Sequence, residues 1–111
     1  MKKREKFIFD NYYDGIKKDV DSKIRSISKI KTIISKNYKY TGEVKNKKPN
    51  GWGKLAEVSK RFPKPFRTFY GNFVDGKLNG LGYIQFGHPL IHIGNFTDNR
   101  LNGKGRILYG S

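Results

Sequence analysis

The chain has no cysteine among its 111 residues. That excludes disulfides, thiolate metal sites and a thiol nucleophile, and it suits a reducing compartment. Acids are scarce, with 9 Asp and Glu against 24 Lys and Arg. Long apolar runs are also missing. No stretch approaches the roughly 18 apolar residues that a membrane helix needs. The start, Met1-Lys-Lys-Arg-Glu-Lys6, resembles the charged end of a signal peptide, but the apolar run Phe7-Ile-Phe9 is too short and Asp10 ends it. A soluble, cytoplasmic protein is the expectation. With 35% hydrophobic and 30% charged residues, one domain with a thin core is expected.

What is present is positive charge. The formal net charge is +15, from 18 Lys and 6 Arg. Residues 1–39 carry 12 bases and 5 acids, and residues 40–111 carry 12 bases and 4 acids, so the excess is not a tail. Such a field attracts nucleic acid, anionic lipid or an acidic protein. Solubility alone is the competing reading.

The chain divides into residues 1–39, a basic amphipathic helical segment, and residues 40–111, a repeat region. From about Asp10 to Ser35, Tyr13, Ile16, Val20, Ile24, Ile27, Ile30 and Ile34 step by three or four, the spacing of one helical face. Acids lead and bases follow, matching the helix dipole. The Ile stripe has three readings. It packs on the repeat sheet as the missing cover of one face. It forms a homodimer seam through Ile16, Val20, Ile24, Ile27 and Ile34. Or it lies on an anionic bilayer.

The repeat region writes one phrase three times. It runs Tyr40-Thr-Gly-Glu-Val to Asn50-Gly-Trp-Gly53, Phe69-Tyr-Gly-Asn-Phe to Asn79-Gly-Leu-Gly82, and His92-Ile-Gly-Asn-Phe to Asn102-Gly-Lys-Gly105. The phrases start at 40, 69 and 92, and a period of this size means stacked copies of one supersecondary unit. Tyr40, Gly42 and Val44 alternate as a half-buried strand does, and so do Phe69, Gly71, Phe73 and His92, Gly94, Phe96. A second strand follows each turn, and the Asn-Gly pairs are read as hairpin turns. Three hairpins give about six strands. The alternate glycines are expected to admit a ring from the next repeat close to the backbone. The fold expected is mainly β with one N-terminal helix (α+β): a twisted antiparallel sheet with the helix packed on it.

This phrase, Tyr-x-Gly-x-aromatic, a short turn and x-Gly-x-Gly, resembles the MORN repeat over roughly residues 40–109. Departures are Val44 at the fifth position, Phe69 and His92 in place of the leading Tyr, and Lys47 and Asn99 where Gly76 keeps the turn glycine. About six extra residues precede the second copy around Arg61-Phe-Pro-Lys-Pro-Phe66, a loop by its prolines. The resemblance implies an elongated sheet used as a scaffold, with phospholipid binding or protein docking as known uses.

Catalytic chemistry is not apparent. His88 and His92 are separated by Pro89, and His92 holds the repeat's aromatic position, so a packed ring is expected instead of a metal ligand. Asp75 and Asp98 lead into turns. No paired carboxylates, activated Ser or Thr, or phosphate-cradling loop stands out, so neither enzyme activity, metal nor cofactor is expected. The candidate binding residues are bases assigned to the hairpin tips and the inserted loop: Lys47, Lys48, Lys54, Lys60, Arg61, Lys64, Arg67, Lys77, Arg100, Lys104 and Arg106. Trp52, Phe62 and Phe66 are candidate aromatic contacts. These point to a non-catalytic protein that docks on an acidic protein or a nucleoprotein, with direct RNA or DNA contact, and modulates or inhibits it. The alternative is a peripheral adaptor on anionic phospholipid membranes. A self-assembling structural protein is the third reading.

Overall fold

A computed structural model describes residues 11–58, 67–87 and 90–109. Helix α1 spans Asn11–Arg25 and seven strands follow it: β1 (Lys31–Ile34), β2 (Tyr38–Lys45), β3 (Lys48–Glu57), β4 (Arg67–Val74), β5 (Lys77–Phe86), β6 (Leu90–Thr97) and β7 (Arg100–Tyr109). They form one sheet in chain order, each strand antiparallel to the next. The mainly-β architecture with an N-terminal helix is the expected one, with one strand more.

That strand corrects the helix boundary. The last i→i−4 hydrogen bond is Ser26 N–H to Ser22 O at 3.0 Å, and Lys31–Ile34 pairs with β2. Lys31-Thr-Ile-Ile34 is rich in β-branched side chains, whose stiff χ1 favours a pleated surface over a helix. Ile27, Ile30 and Ile34 therefore leave the stripe. Ile27 lies in the connection, and Ile34, on β1, is 80% exposed. The continuous seam from Ile16 to Ile34 proposed for a homodimer does not exist. Ile16, Val20 and Ile24 pack on the sheet, and Val20 is fully buried there.

Each repeat is one hairpin, but the turns lie earlier than the Asn-Gly signal placed them. The two-residue tips are Asn46-Lys47, Asp75-Gly76 and Asp98-Asn99, and all six residues have positive φ. That is the backbone of a type I′ turn, which matches strand twist. Asn50-Gly51, Asn79-Gly80 and Asn102-Gly103 lie inside β3, β5 and β7, where the pairing register shifts after Gly42, Gly71 and Gly94. Gly51, Gly80 and Gly103 have φ of 99°, 91° and 80°, so the second Asn-Gly residue serves a bulge.

The asparagines have another task. Asn50 Oδ1 accepts Asp75 N–H at 3.1 Å, and Asn79 Oδ1 accepts Asp98 N–H at 3.2 Å. Each repeat thus holds the turn of the next. Carbonyl groups repeat the pattern: Gly76 N–H donates to Pro49 O at 2.9 Å and Asn99 N–H to Leu78 O at 3.0 Å. Leu78 N–H donates back to Asn99 Oδ1 at 2.8 Å. Pro49 has no N–H and Gly76 no side chain, so the first junction lacks that return bond without leaving a donor stranded.

Six glycines form one row across the sheet: Gly42, Gly53, Gly71, Gly82, Gly94 and Gly105 are successive cross-strand partners. The space above them is filled from within each hairpin, not by a ring from the next repeat as expected. Tyr40 covers Gly42 and Gly53; Leu78 covers Gly71 and Gly82; Leu101 covers Gly105. A compensation is visible. Where the leading residue is Tyr40, the position cross-strand from Val44 is Pro49. Where it is Phe69 or His92, the equivalent position is Leu78 or Leu101.

Two cores result. On one face Tyr40, Leu55, Phe69, Phe73, Leu78, Ile84 and Phe96 pack together. No described element lies over them, and the bulged sheet buries them against one another. Tyr40 meets Phe73 edge-on, with centroids 5.3 Å apart, and its hydroxyl donates to Glu43 O at 2.6 Å. Burial raises the Tyr40 phenol well above its ordinary range, with Glu43 adding to it. On the other face α1 sets Val20 against Tyr83, Ile91 and Ile93, with Trp52 and Tyr70 at the margin.

Candidate binding surface

The tip hydrogen bonds bring the three turns into one row, as the repeat reading requires. Lys45, Lys47, Lys48, Lys77 and Arg100 stand exposed along it. The row is not uniformly basic, because Asp75 and Asp98 occupy the second and third turns. Positive charge concentrates at the first tip, where Asn46-Lys47 carries no acid.

Lys54, Lys104, Arg106 and Arg67 are not tip residues. Period-two alternation sets Lys54 on the helix-bearing face of β3, and Lys104 and Arg106 on the same face of β7. Arg67 starts β4, at the end opposite the tips. Its guanidinium donates to both Glu57 carboxylate oxygens, at 2.7 and 2.8 Å, and lies 5.1 Å above the Phe69 ring. The Glu57 hydrogen bonds raise its already high pKa. Its charge is therefore committed within the fold. Lys60, Arg61, Lys64, Phe62 and Phe66 lie outside the described residues, as do His88 and Pro89.

The arrangement that the structure assembles is on the helix-bearing face. Thr41, Lys54, Tyr70, Tyr83, Ile93 and Arg106 form one cross-strand row. Tyr70 and Tyr83 stack with centroids 4.5 Å apart and planes 17° apart. Lysines sit over the rings: Lys54 Nζ is 5.6 Å from the Tyr70 centroid, Lys17 is 5.4 Å from Tyr83, and Lys23 is 5.9 Å from Trp52. Cation–π attraction holds each ammonium over a ring; Lys17 is also paired with Asp21 at 2.7 Å, while Lys23 and Lys54 keep N–H donors for an anion. Trp52 is half-buried, so it is at the edge of the helix and not beneath it. Its backbone N–H donates to Glu43 Oε1 at 2.7 Å, which fixes this stretch of β3.

Asp21 orders the centre of the face. It accepts the Tyr83 hydroxyl at 2.6 Å and Lys17 Nζ at 2.7 Å, tying α1 to β5. Burial, with Asp21 adding to it, raises the Tyr70 phenol above its ordinary value. The sequence reading missed Lys17, Lys23, Tyr70 and Tyr83. A signal was available: aligning Gly53, Gly71 and Gly82 as partners sets Lys54, Tyr70 and Tyr83 in one row.

Across the sheet, a groove of about 190 Å³ is lined by Tyr38, Leu55, Glu57, Phe69 and Phe73. Ligand pockets for drug-sized molecules run from about 300 Å³ upward, so the groove is small for a cofactor. His92 packs on Phe86 with centroids 4.5 Å apart, and burial lowers its pKa. Among the described residues, no three His, Cys, Asp or Glu side chains converge on a metal-sized site. No helix among them is long and apolar enough to cross a membrane. Compared with family models, curated proteins and solved structures, the chain matches none of them.

Proposed function

We propose that this protein is a non-catalytic, strongly basic repeat protein, MORN-like in build, that docks on an acidic protein or an RNA- or DNA-containing complex and modulates it in the cytoplasm. The observation that carries the reading is the interleaving of Lys23 and Lys54 with Trp52 and Tyr70 on one face. Ammonium groups neutralise phosphates or carboxylates, and a partly exposed indole offers a stacking plane for an unpaired base. The exposed first tip extends the same positive field. Membrane docking through α1 is less favoured, because the helix's apolar residues Val20 and Ile24 face the sheet.

The single tryptophan supplies the test. A short single-stranded RNA titrated into the protein is expected to quench Trp52 emission saturably and to lose affinity steeply with salt. Lys23→Glu with Lys54→Glu should weaken binding about tenfold or more, while Lys77→Glu at a mixed-charge tip should matter less. An acidic protein titrated in the same assay tests the second class of partner. Emission unchanged by either ligand, or a Lys23/Lys54 variant that binds like wild type, removes this face from the function. Sedimentation with phosphatidylserine but not phosphatidylcholine vesicles would instead favour the membrane reading.

A further inference from the structure

The junctions between repeats obey one rule. The second strand of a hairpin pairs with the first strand of the next, glycine against glycine: Gly53 with Gly71 in β3–β4, and Gly82 with Gly94 in β5–β6. β7 is the second strand of the third hairpin and, among the described residues, pairs only with β6. Its outer edge is a junction with one half missing.

Two features of the third hairpin show what that half is. Ile107 lies opposite His92, the place that Leu55 holds opposite Tyr40 and Ile84 opposite Phe69. Leu55 and Ile84 are 8% and 2% exposed, each flanked by the leading ring of the next hairpin, whereas Ile107 is 50% exposed. At the tips, Asn50 Oδ1 and Asn79 Oδ1 accept N–H donors from the following turn, and so do Pro49 O and Leu78 O. The equivalent acceptors in the third hairpin are Asn102 Oδ1 and Leu101 O, and no described turn follows them.

The chain contains the matching half. Among the first strands β2, β4 and β6, β2 alone has no repeat before it. Its outer neighbour β1 is four residues long and covers only Lys39 to Gly42. At the first tip, Asn46 and Lys47 hold the places from which Asp75, Gly76, Asp98 and Asn99 donate, and none of the described residues accepts from their N–H groups.

Setting Gly105 opposite Gly42 of a second copy continues the rule. Ile107 then takes the place of Ile33 beside Tyr40, and Leu108 that of Ile34 beside Lys39. Tyr109 falls opposite Tyr38, Lys104 opposite Glu43 and Arg106 opposite Thr41, so no base meets a base. The added strand covers β2 from Tyr38 to Val44, further than β1 reaches. The tips lie at the same end, with Asn102 Oδ1 beside the Asn46 N–H. An antiparallel pair of two β7 strands points its tips to opposite ends in every register, so Asn102 meets no turn there.

We propose that β7 of one copy pairs with β2 of a second copy in place of its β1, so that copies join head to tail through one more repeat junction. Such a contact is heterologous and builds rings or open filaments. It stands apart from the polyanion reading. The charge of +15 on each copy opposes it, so joining should strengthen with salt, the reverse of RNA binding.

Sedimentation equilibrium of nuclease-treated protein is the test. Mass should rise with protein concentration, and association should be about tenfold or more tighter in about 1 M than in about 0.1 M salt. Ile107→Lys should weaken it about tenfold or more. Because the chain has no cysteine, Thr32→Cys with Thr41→Cys, cross-strand partners in β1 and β2, can lock β1 in place. The oxidised form should be monomeric and reduction should restore association, a comparison made on one folded protein. Arg106→Cys mixed with Thr41→Cys should cross-link between copies, and faster than Arg106→Cys with itself. A strict monomer at millimolar concentration in high salt, association that survives the oxidised lock, or self-linking of Arg106→Cys at the mixed rate overturns the proposal.

Discussion

Replacing Gly53 by alanine tests the packing logic of the glycine row directly. Its φ is not positive, so the cost is steric and not conformational. A Cβ there would overlap the Tyr40 hydroxyl and fall within 2.6 Å of two ring carbons. Tyr40 has nowhere to retreat: it is fully buried, set edge-on to Phe73, and its hydroxyl donates to Glu43 O and Trp52 O at 2.6 and 3.3 Å. Overpacking a core costs about 1–3 kcal/mol, and displacing a buried hydrogen bond adds about 1–3 kcal/mol. A loss of about 2–6 kcal/mol is expected for Gly53→Ala, a large share of a stability that typically runs about 5–15 kcal/mol. The control is Gly15→Ala. Gly15 lies inside α1 with nothing within 4 Å of a new Cβ, so alanine should stabilise, by up to about 1 kcal/mol. Urea unfolding followed by circular dichroism at constant m-value measures both. Shortening the ring in Gly53→Ala with Tyr40→Leu should cost less than the sum of the single changes. A Gly53→Ala protein within about 0.5 kcal/mol of wild type, the range of an ordinary surface change, would refute the reasoning.

Tyr83→Phe should destabilise by about 1–3 kcal/mol, since it leaves part-buried Asp21 without its closest donor. Asp21→Asn should act through the same contact, so the double variant should cost less than the sum in a urea cycle. His92 has its pKa lowered by burial, so the unfolded chain takes up the proton first. Its contribution is complete above the unfolded value of about 6.5 and is lost as pH falls through the folded value. His92→Phe, the ring type that leads the second repeat, should flatten that part of the stability–pH curve, and an unchanged slope would show that His92 is not its source.

The hairpins and the glycine row were legible because strand alternation and repeat spacing are local signals. Gly42, Gly71 and Gly94 announce one face, and each copy confirms the others. The boundary between helix and β1 was not legible. Ile24, Ile27, Ile30 and Ile34 satisfy helical spacing, and only the β-branched run at Thr32-Ile33-Ile34 argues otherwise. Each turn lies four residues before its Asn-Gly pair, because Asn-Gly is a strong signal for positive φ and here the bulge uses it. Asn46-Lys47 and Asp98-Asn99 adopt the same backbone with weaker letters. The candidate face was half legible. Trp52 and Lys54 were singled out, but Lys23 reaches Trp52 only through helix–sheet packing, a contact that no local pattern encodes. Arg67 looked like an available base because its partner, Glu57, lies 10 residues away in the chain, beyond the reach of any local pattern.

At the tips, the asparagine bonds tie each repeat only to its neighbours. Asn50 serves the second turn and Asn79 the third, whereas Asn102 bonds Thr97 of its own hairpin at 2.8 Å. A chain built this way can be lengthened by duplication. Copying the 23-residue unit that begins at Phe69 would carry its donors, acceptors and glycines with it, in register. Each added unit would bring its own stability and one junction, the arithmetic of a linear array. Length is then a quantity that such a protein can change without redesigning its core, and the span of the sheet would change with it.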